Sequence, residues 1–163
     1  MDRDAQPAEL VRALARTPAR FRAVGGHLPA SRLREPPAPG AWSPNEILWH
    51  VRAVADVYGE HVGRLLREEQ PRWRHVSPRQ RMKKARYDHL PFQESLETFE
   101  RQRGQLVELL GGLEAAAWRR FALIRVAERE SRLTLYERIR GMAHHEEIHC
   151  AQLELAAGEL GAR

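Results

Sequence analysis

Three of the chain's eight histidines, His144, His145 and His149, fall within the short stretch "GMAHHEEIHCAQLE", and a fourth, His50, sits in "NEILWHV". Neutral imidazole is a common ligand for transition metals, so the first question is which of these rings can share an ion. Successive residues of an α-helix turn by about 100°, which puts His145 and His149 on one face, beside the apolar stripe of Leu135, Ile139, Met142 and Leu153. His144 points the other way. Two imidazoles one turn apart can converge on a single ion at about 2.0–2.1 Å, and a third ligand must then come from another helix. His50, three after Ile47 and four before Val54, lies on an apolar helical face, where a ring nitrogen needs a partner. His61 shares that face but lies too far along the axis to reach the same ion, at about 1.5 Å per residue. His27, His75 and His89 fall in connections or at helix ends. A lone histidine on an apolar face is more often a hydrogen-bonded core residue than a ligand, but three on inward faces of two helices favour a metal. The spacing therefore selects His50, His145 and His149, with one or more positions open for water or substrate.

The segment "HEEIH" also matches H-E-x-x-H, in which the glutamate is the general base of a zinc protease. Such sites take their third ligand from downstream, and no histidine follows His149, so protease chemistry is a minor reading. Glu146 projects near the middle of the core face, where it could activate a metal-bound water or thiol, or hydrogen-bond a ligand histidine. Glu147 faces outward. A di-iron carboxylate centre is set aside: it needs two E-x-x-H motifs, whereas the His50 helix offers Glu46-x-x-x-His50 with Glu46 engaged as a cap. Gln152, three after His149, stays on the metal side and could orient a ligand or substrate. Trp42 and Trp49 flank the start of the His50 helix and read as packing residues, with Trp49 a candidate to line the approach to the metal. Cys150 reads as a small buried hydrophobe. As the only cysteine it can form neither an internal disulfide nor a thiolate zinc cluster, which leaves histidine and carboxylate as ligands.

Four amphipathic helices must position these groups. The first runs from Ala8 to Gly25 through Leu10, Leu14, Phe21 and Val24, with a kink or restart expected at Thr17-Pro18. The second has Ser43 as N-cap, Pro44 at its first position and Glu46 closing a capping box, and continues through Ile47, Val51, Val54, Tyr58, Val62 and Leu65 to about Arg67. The third starts at Pro91 or Phe92, carries Leu96, Phe99, Leu106 and Leu109, and stops at Gly111-Gly112. Thr134 and Glu137 form a second capping box that opens the last helix, Leu135 to about Ala157. "LPASRLREPPAPGA" reads as a surface connection, and Pro71 to His89 as a long basic one, in which every charged residue before Asp88 is an arginine or lysine. With no alternating strands, glycine-rich phosphate loop or internal repeat, the expectation is an all-α fold, a four-helix bundle, in a single domain over 1–163. No long apolar run and no signal-peptide core are present, so no membrane span is expected and the cytoplasm is the default compartment. The net charge of +5 is almost wholly arginine, Lys83 and Lys84 being the only lysines, and is weak evidence for nucleic acid, which is not expected as a partner.

"PAPGAWSPNEILWHV", followed far downstream by "LTLYERIRGMAHHEEIHCAQLE", resembles the DinB-like superfamily of metal-binding four-helix bundles. The W-S-x-x-E-I-L-x-H and H-E-x-x-H-x-x-Q blocks carry the resemblance together, and nearly the whole chain fits it. It implies that the metal ligands are His50, His145 and His149, that the ion is divalent, zinc or nickel, and that the protein is a homodimer. Many members carry an acid just after the first ligand, where this chain has Arg52 and Ala53. The resemblance further implies a metal-dependent enzyme acting on a small-molecule substrate. The leading expectation is a transferase in detoxification or stress response that uses a low-molecular-weight thiol such as bacillithiol or mycothiol, with Glu146 as base and the basic connection guiding an anionic thiol. The alternatives are a metal-dependent hydrolase that activates water at the same ion, and a non-catalytic bundle that binds metal or an acidic partner, such as nucleic acid at residues 72–86.

Overall fold

The computed structural model describes residues 6–74, 89–126 and 128–162. Four long helices carry it: α1 (Pro7–His27), then, after a single-turn α2 (Ala30–Leu33), α3 (Pro44–Arg67), α4 (Phe92–Gly111), and, after a short α5 (Ala115–Trp118), α6 (Leu135–Gly161). The two capping boxes read from the sequence are formed. Ser43 Oγ accepts from the Glu46 amide (3.3 Å) while Glu46 Oε2 accepts from the Ser43 amide (2.8 Å), and Thr134 and Glu137 repeat the exchange at 3.1 and 2.8 Å. None of the described helices is long and apolar enough to cross a membrane. Most of the basic connection between α3 and α4, with His75, lies outside the described residues.

The core divides into two layers that reveal the helix directions. One holds Leu10 and Leu14 of α1, Val62 and Leu65 of α3, Leu110 of α4, and Leu135, Ile139 and Met142 of α6. The other holds Phe21 and Val24, Ile47 and Val51, Phe92 and Leu96, and Cys150 and Leu153. Hence α1 and α6 run one way, α3 and α4 the other. Principal packing is α1 on α4 and α6, and α3 on α6 and α4, so α1 faces α3 and α4 faces α6 across the diagonals. As parallel neighbours, α3 ends and α4 begins at opposite ends of the bundle. Where α1 ends against α4 the helices approach closely: a Cβ on Gly25 would lie 2.7 Å from the Phe92 ring.

Two sequence expectations are corrected. α1 continues through Pro18 without restarting; Leu14, Thr17, Phe21 and Val24 are all buried on either side of it, and this packing offsets the lost backbone hydrogen bond. A three-stranded sheet also joins the bundle: β1 (Arg72–Arg74) pairs parallel with β2 (Phe121–Val126), which pairs antiparallel with β3 (Arg129–Thr134). It caps the end of the bundle where Trp118 and Ala122 enter the core. Arg120, just before β2, donates to the carbonyls of Leu65 (2.5 Å) and Glu68 (2.8 Å), covering the C-terminal end of α3. The last helix runs past Ala157 to Gly161, with Leu160 buried.

Thr134 serves as the last residue of β3 and the N-cap of α6, so Thr134→Ala is expected to lower the unfolding free energy by about 1 kcal/mol, read from the midpoint of a urea titration. A change below a few tenths would mean that the hairpin, not the cap, sets the start of α6.

Candidate metal centre

α3 brings His50 in near its N-terminal end, and α6, running antiparallel against it, offers His145 and His149 from its middle. The three rings face one another. Centroids are 5.0 Å apart for His50 and His145, 4.6 Å for His50 and His149, and 4.4 Å for His145 and His149. One nitrogen of each lies within 4.8 Å of the others, and among the described residues no carboxylate or cysteine joins the group. His50 Nε2 and His145 Nε2 are 3.0 Å apart. Two nitrogens on one tetrahedral ion at about 2.05 Å would be separated by roughly 3.3 Å, so this spacing fits a shared ion with little movement. The donor set is therefore one that could hold a divalent metal.

Burial and the neighbouring imidazoles His149, His50 and His144 push His145 down to about 3, and burial lowers His149 as well, against the raising effect of Gln152. Both rings are thus neutral at physiological pH, the state a metal requires. The His149 Nδ1–H donates to Gln152 Oε1 at 2.8 Å, which fixes the tautomer and leaves Nε2 with a free lone pair. Gln152 therefore sits where the sequence placed it. His144 and Glu147 are exposed, and Glu147 accepts from Arg20 (2.7 Å), which also grips Glu154 at 2.6 and 2.9 Å and so ties α1 to α6. Cys150 is fully buried, and burial pushes its thiol up to about 12, so it offers no thiolate.

Trp49 packs with Ala53 and Leu90. The indole at the site is that of Trp42, whose ring lies 5.0 Å from His50 and stacks on His149 at 6.0 Å with planes 9° apart. Trp42 immediately precedes the Ser43 cap, so the same box that starts α3 sets the indole over the rings; lying outside the helix, it escaped a helical projection. Glu146 is 2% exposed and ion-paired with Arg103 of α4, itself 3% exposed. Burial pushes the Glu146 carboxyl up, while Arg103 and the buried Thr17 hydroxyl of α1 draw it down. Arg103 also reaches Met142 Sδ (3.8 Å) and lies 5.0 Å from the Phe99 ring centroid. The Glu146 carboxylate thus faces the buried guanidinium of α4. Arg103 and Thr17 were missed, although Arg103 continues the apolar spacing of Leu96 and Phe99, a signal that marks a charge in the core.

Comparison with known proteins adds a family. The DinB superfamily profile matches residues 13–153. Among solved structures, YfiT from Bacillus subtilis, described as a probable metal-dependent hydrolase with an unusual four-helix bundle topology, aligns with a TM-score of 0.77 at 19% identity, covering 99% of this chain and 93% of that one. No curated protein sequence matches.

Two outcomes follow from the geometry. Glu146→Ala leaves Arg103 buried without its counter-charge and should cost about 3–5 kcal/mol in chemical denaturation, with metal affinity weakened as α6 loses its fixed rotation. A fully stable variant that had lost only turnover would assign Glu146 as the base. A histidine whose folded pKa lies below its unfolded value stabilises the fold above about 6.5, and that contribution is lost as pH falls toward 3. Metal-free wild type should therefore lose more stability between pH 7.5 and 5 than His145→Ala does; equal losses would contradict the burial of a neutral ring.

Proposed function

This chain belongs to the DinB superfamily, and from that membership and the three-histidine centre we propose that it is a metal-dependent hydrolase of a small-molecule substrate, holding one divalent ion on His50, His145 and His149. The observation that carries the proposal is the convergence of three imidazoles with no fourth protein ligand among the described residues, the pattern of a catalytic rather than a closed structural site. Zinc or nickel bound there would supply a Lewis acid that polarises a carbonyl or phosphoryl oxygen and acidifies water near neutral pH. The chain's own contribution is orientation. Gln152 holds His149, Trp42 shields one side of the rings from solvent, and the Arg103–Glu146 pair sets the rotation of α6.

Water is preferred to a thiol as the nucleophile because YfiT, which shares the fold, is described as a hydrolase, and because none of the described residues at the centre selects a thiol. Transfer to a low-molecular-weight thiol would use the same open position and differs in one measurable respect, an absolute requirement for the thiol.

Elemental analysis after reconstitution should find roughly one zinc or nickel ion per chain, lost in His50→Ala and His145→Ala, while Gln152→Ala weakens affinity about 10–100-fold. The metal-loaded protein should hydrolyse members of an ester, amide and phosphoester panel without added thiol. No metal after reconstitution would end the hydrolase reading, and turnover only with thiol would replace it by the transferase.

A further inference from the structure

We propose that Arg138 anchors an anionic group, a carboxylate or phosphate, of the small molecule whose other end is processed at the histidine centre. This rests on the hydrolase reading and adds the substrate class to it. Arg138, Gly141, His145 and His149 follow one another along a single stripe of α6 at helical spacing. Two turns separate Arg138 from His145, about 10 Å along the axis. On the antiparallel α3, Tyr58 and His61 lie beyond His50 on the side that faces this stripe.

The guanidinium of Arg138 lies 3.8 Å from the Tyr58 ring centroid and donates through Nη2 to His61 Nδ1, and the His61 ring stacks on Trp73 of β1 at 4.1 Å with planes 12° apart. An aromatic floor and a ring acceptor thus hold the guanidinium plane in one orientation. What it lacks, among the described residues, is an acid. Three other partly or fully buried arginines have one: Arg20 has Glu147 and Glu154, Arg103 has Glu146, and Arg64, beside Trp73, holds Glu68 with two contacts of 2.8 Å. Arg138 Nε, like that of Arg103, is buried without an acceptor, so an oxyanion would meet this guanidinium at its Nη groups. A partly desolvated cation fixed in place without a counter-charge is costly for the fold alone, and an oxyanion there would offset that cost.

Between this cation and the histidines, no side chain among the described residues covers the stripe. Gly141 is exposed, and a Cβ added there would meet only the Tyr58 hydroxyl, at 3.6 Å. The α6 backbone therefore offers an open floor from Arg138 to His145, with one hydroxyl beside it. The matching ligand is elongated, with its anionic group about 10 Å from the reacting atom.

The test uses the full metal-free chain and inorganic phosphate, followed by the indole N–H resonance of Trp73, assigned with Trp73→Phe. A saturable shift is expected in wild type and in His149→Ala, kept in part by Arg138→Lys, and weakened at least about tenfold in Arg138→Met. No saturable shift in wild type, or equal affinity in a folded Arg138→Met, would overturn the anchor. If phosphate binds as expected but no metal can be loaded, the anchor stands and the hydrolase reading falls. If hydrolysis occurs with no preference for anionic over neutral substrates and none is lost in Arg138→Met, the anchor falls and the hydrolase stands.

Discussion

The buried ion pair between Arg103 and Glu146 is the contact on which the geometry of this bundle turns. It joins α4 to α6, helices that face each other across the diagonal of the bundle, and Thr17 of α1 approaches the same carboxylate. Glu146 lies about 100° around α6 from His145 and about 60° from His149, so fixing its direction fixes theirs. A slip of one residue in the rotation of α6 would, in one sense, put a histidine where Glu146 now meets α4 and, in the other, put Glu146 where the histidines now meet α3. Apolar packing alone resists such a slip weakly, because Met142, Ala143 and Cys150 are small or adaptable neighbours. An uncompensated charge in the core resists it strongly.

The same economy of charge governs the two polar clusters on the α3–α6 seam. At the histidines the chain brings together three bases, and among the described residues no carboxylate joins them. At Arg138 it places a cation with no acid among the described residues. One end of the seam therefore offers neutral lone pairs, suited to a cation, and the other a positive charge, suited to an anion. Elsewhere the chain does the reverse: Arg20, Arg64 and Arg103 each meet carboxylates within the fold, and those contacts tie elements together.

What the amino-acid pattern made legible was whatever depends on one helix at a time. The capping boxes at Ser43 and Thr134, the inward faces of His50, His145 and Glu146, and the outward face of Glu147 all follow from a local period and local hydrogen bonds. What depends on two elements was not. The sheet escaped notice because β1 is three residues long, β3 is mostly exposed, and their pairing joins residues far apart in sequence. A kink or restart was expected at Thr17-Pro18 because the cost of proline is local, while the packing that carries the helix through it is tertiary. Trp42 lay outside any helix, so no projection could aim it at the rings. Arg103 and Glu146 were each visible as a charge on an apolar stripe, but only the relative register of α4 and α6 makes them a pair.

The H-E-x-x-H letters show why that register matters for chemistry. A glutamate next to the first histidine can serve a bound water only if the ion lies on the side of the helix toward which the glutamate projects. Here the third histidine comes from α3, which pulls the centre to the α3 side of α6, while Arg103 and Thr17 occupy the side toward which Glu146 points. One helix presents the same five residues in either case; the partner helix decides which of them face the reaction. In this bundle the parallel placement of α3 and α4 puts the ligand helix and the arginine helix side by side, and α6 meets one with its histidines and the other with its carboxylate. The contact with Arg103 thus keeps α6 turned so that His145 and His149, and not Glu146, face His50.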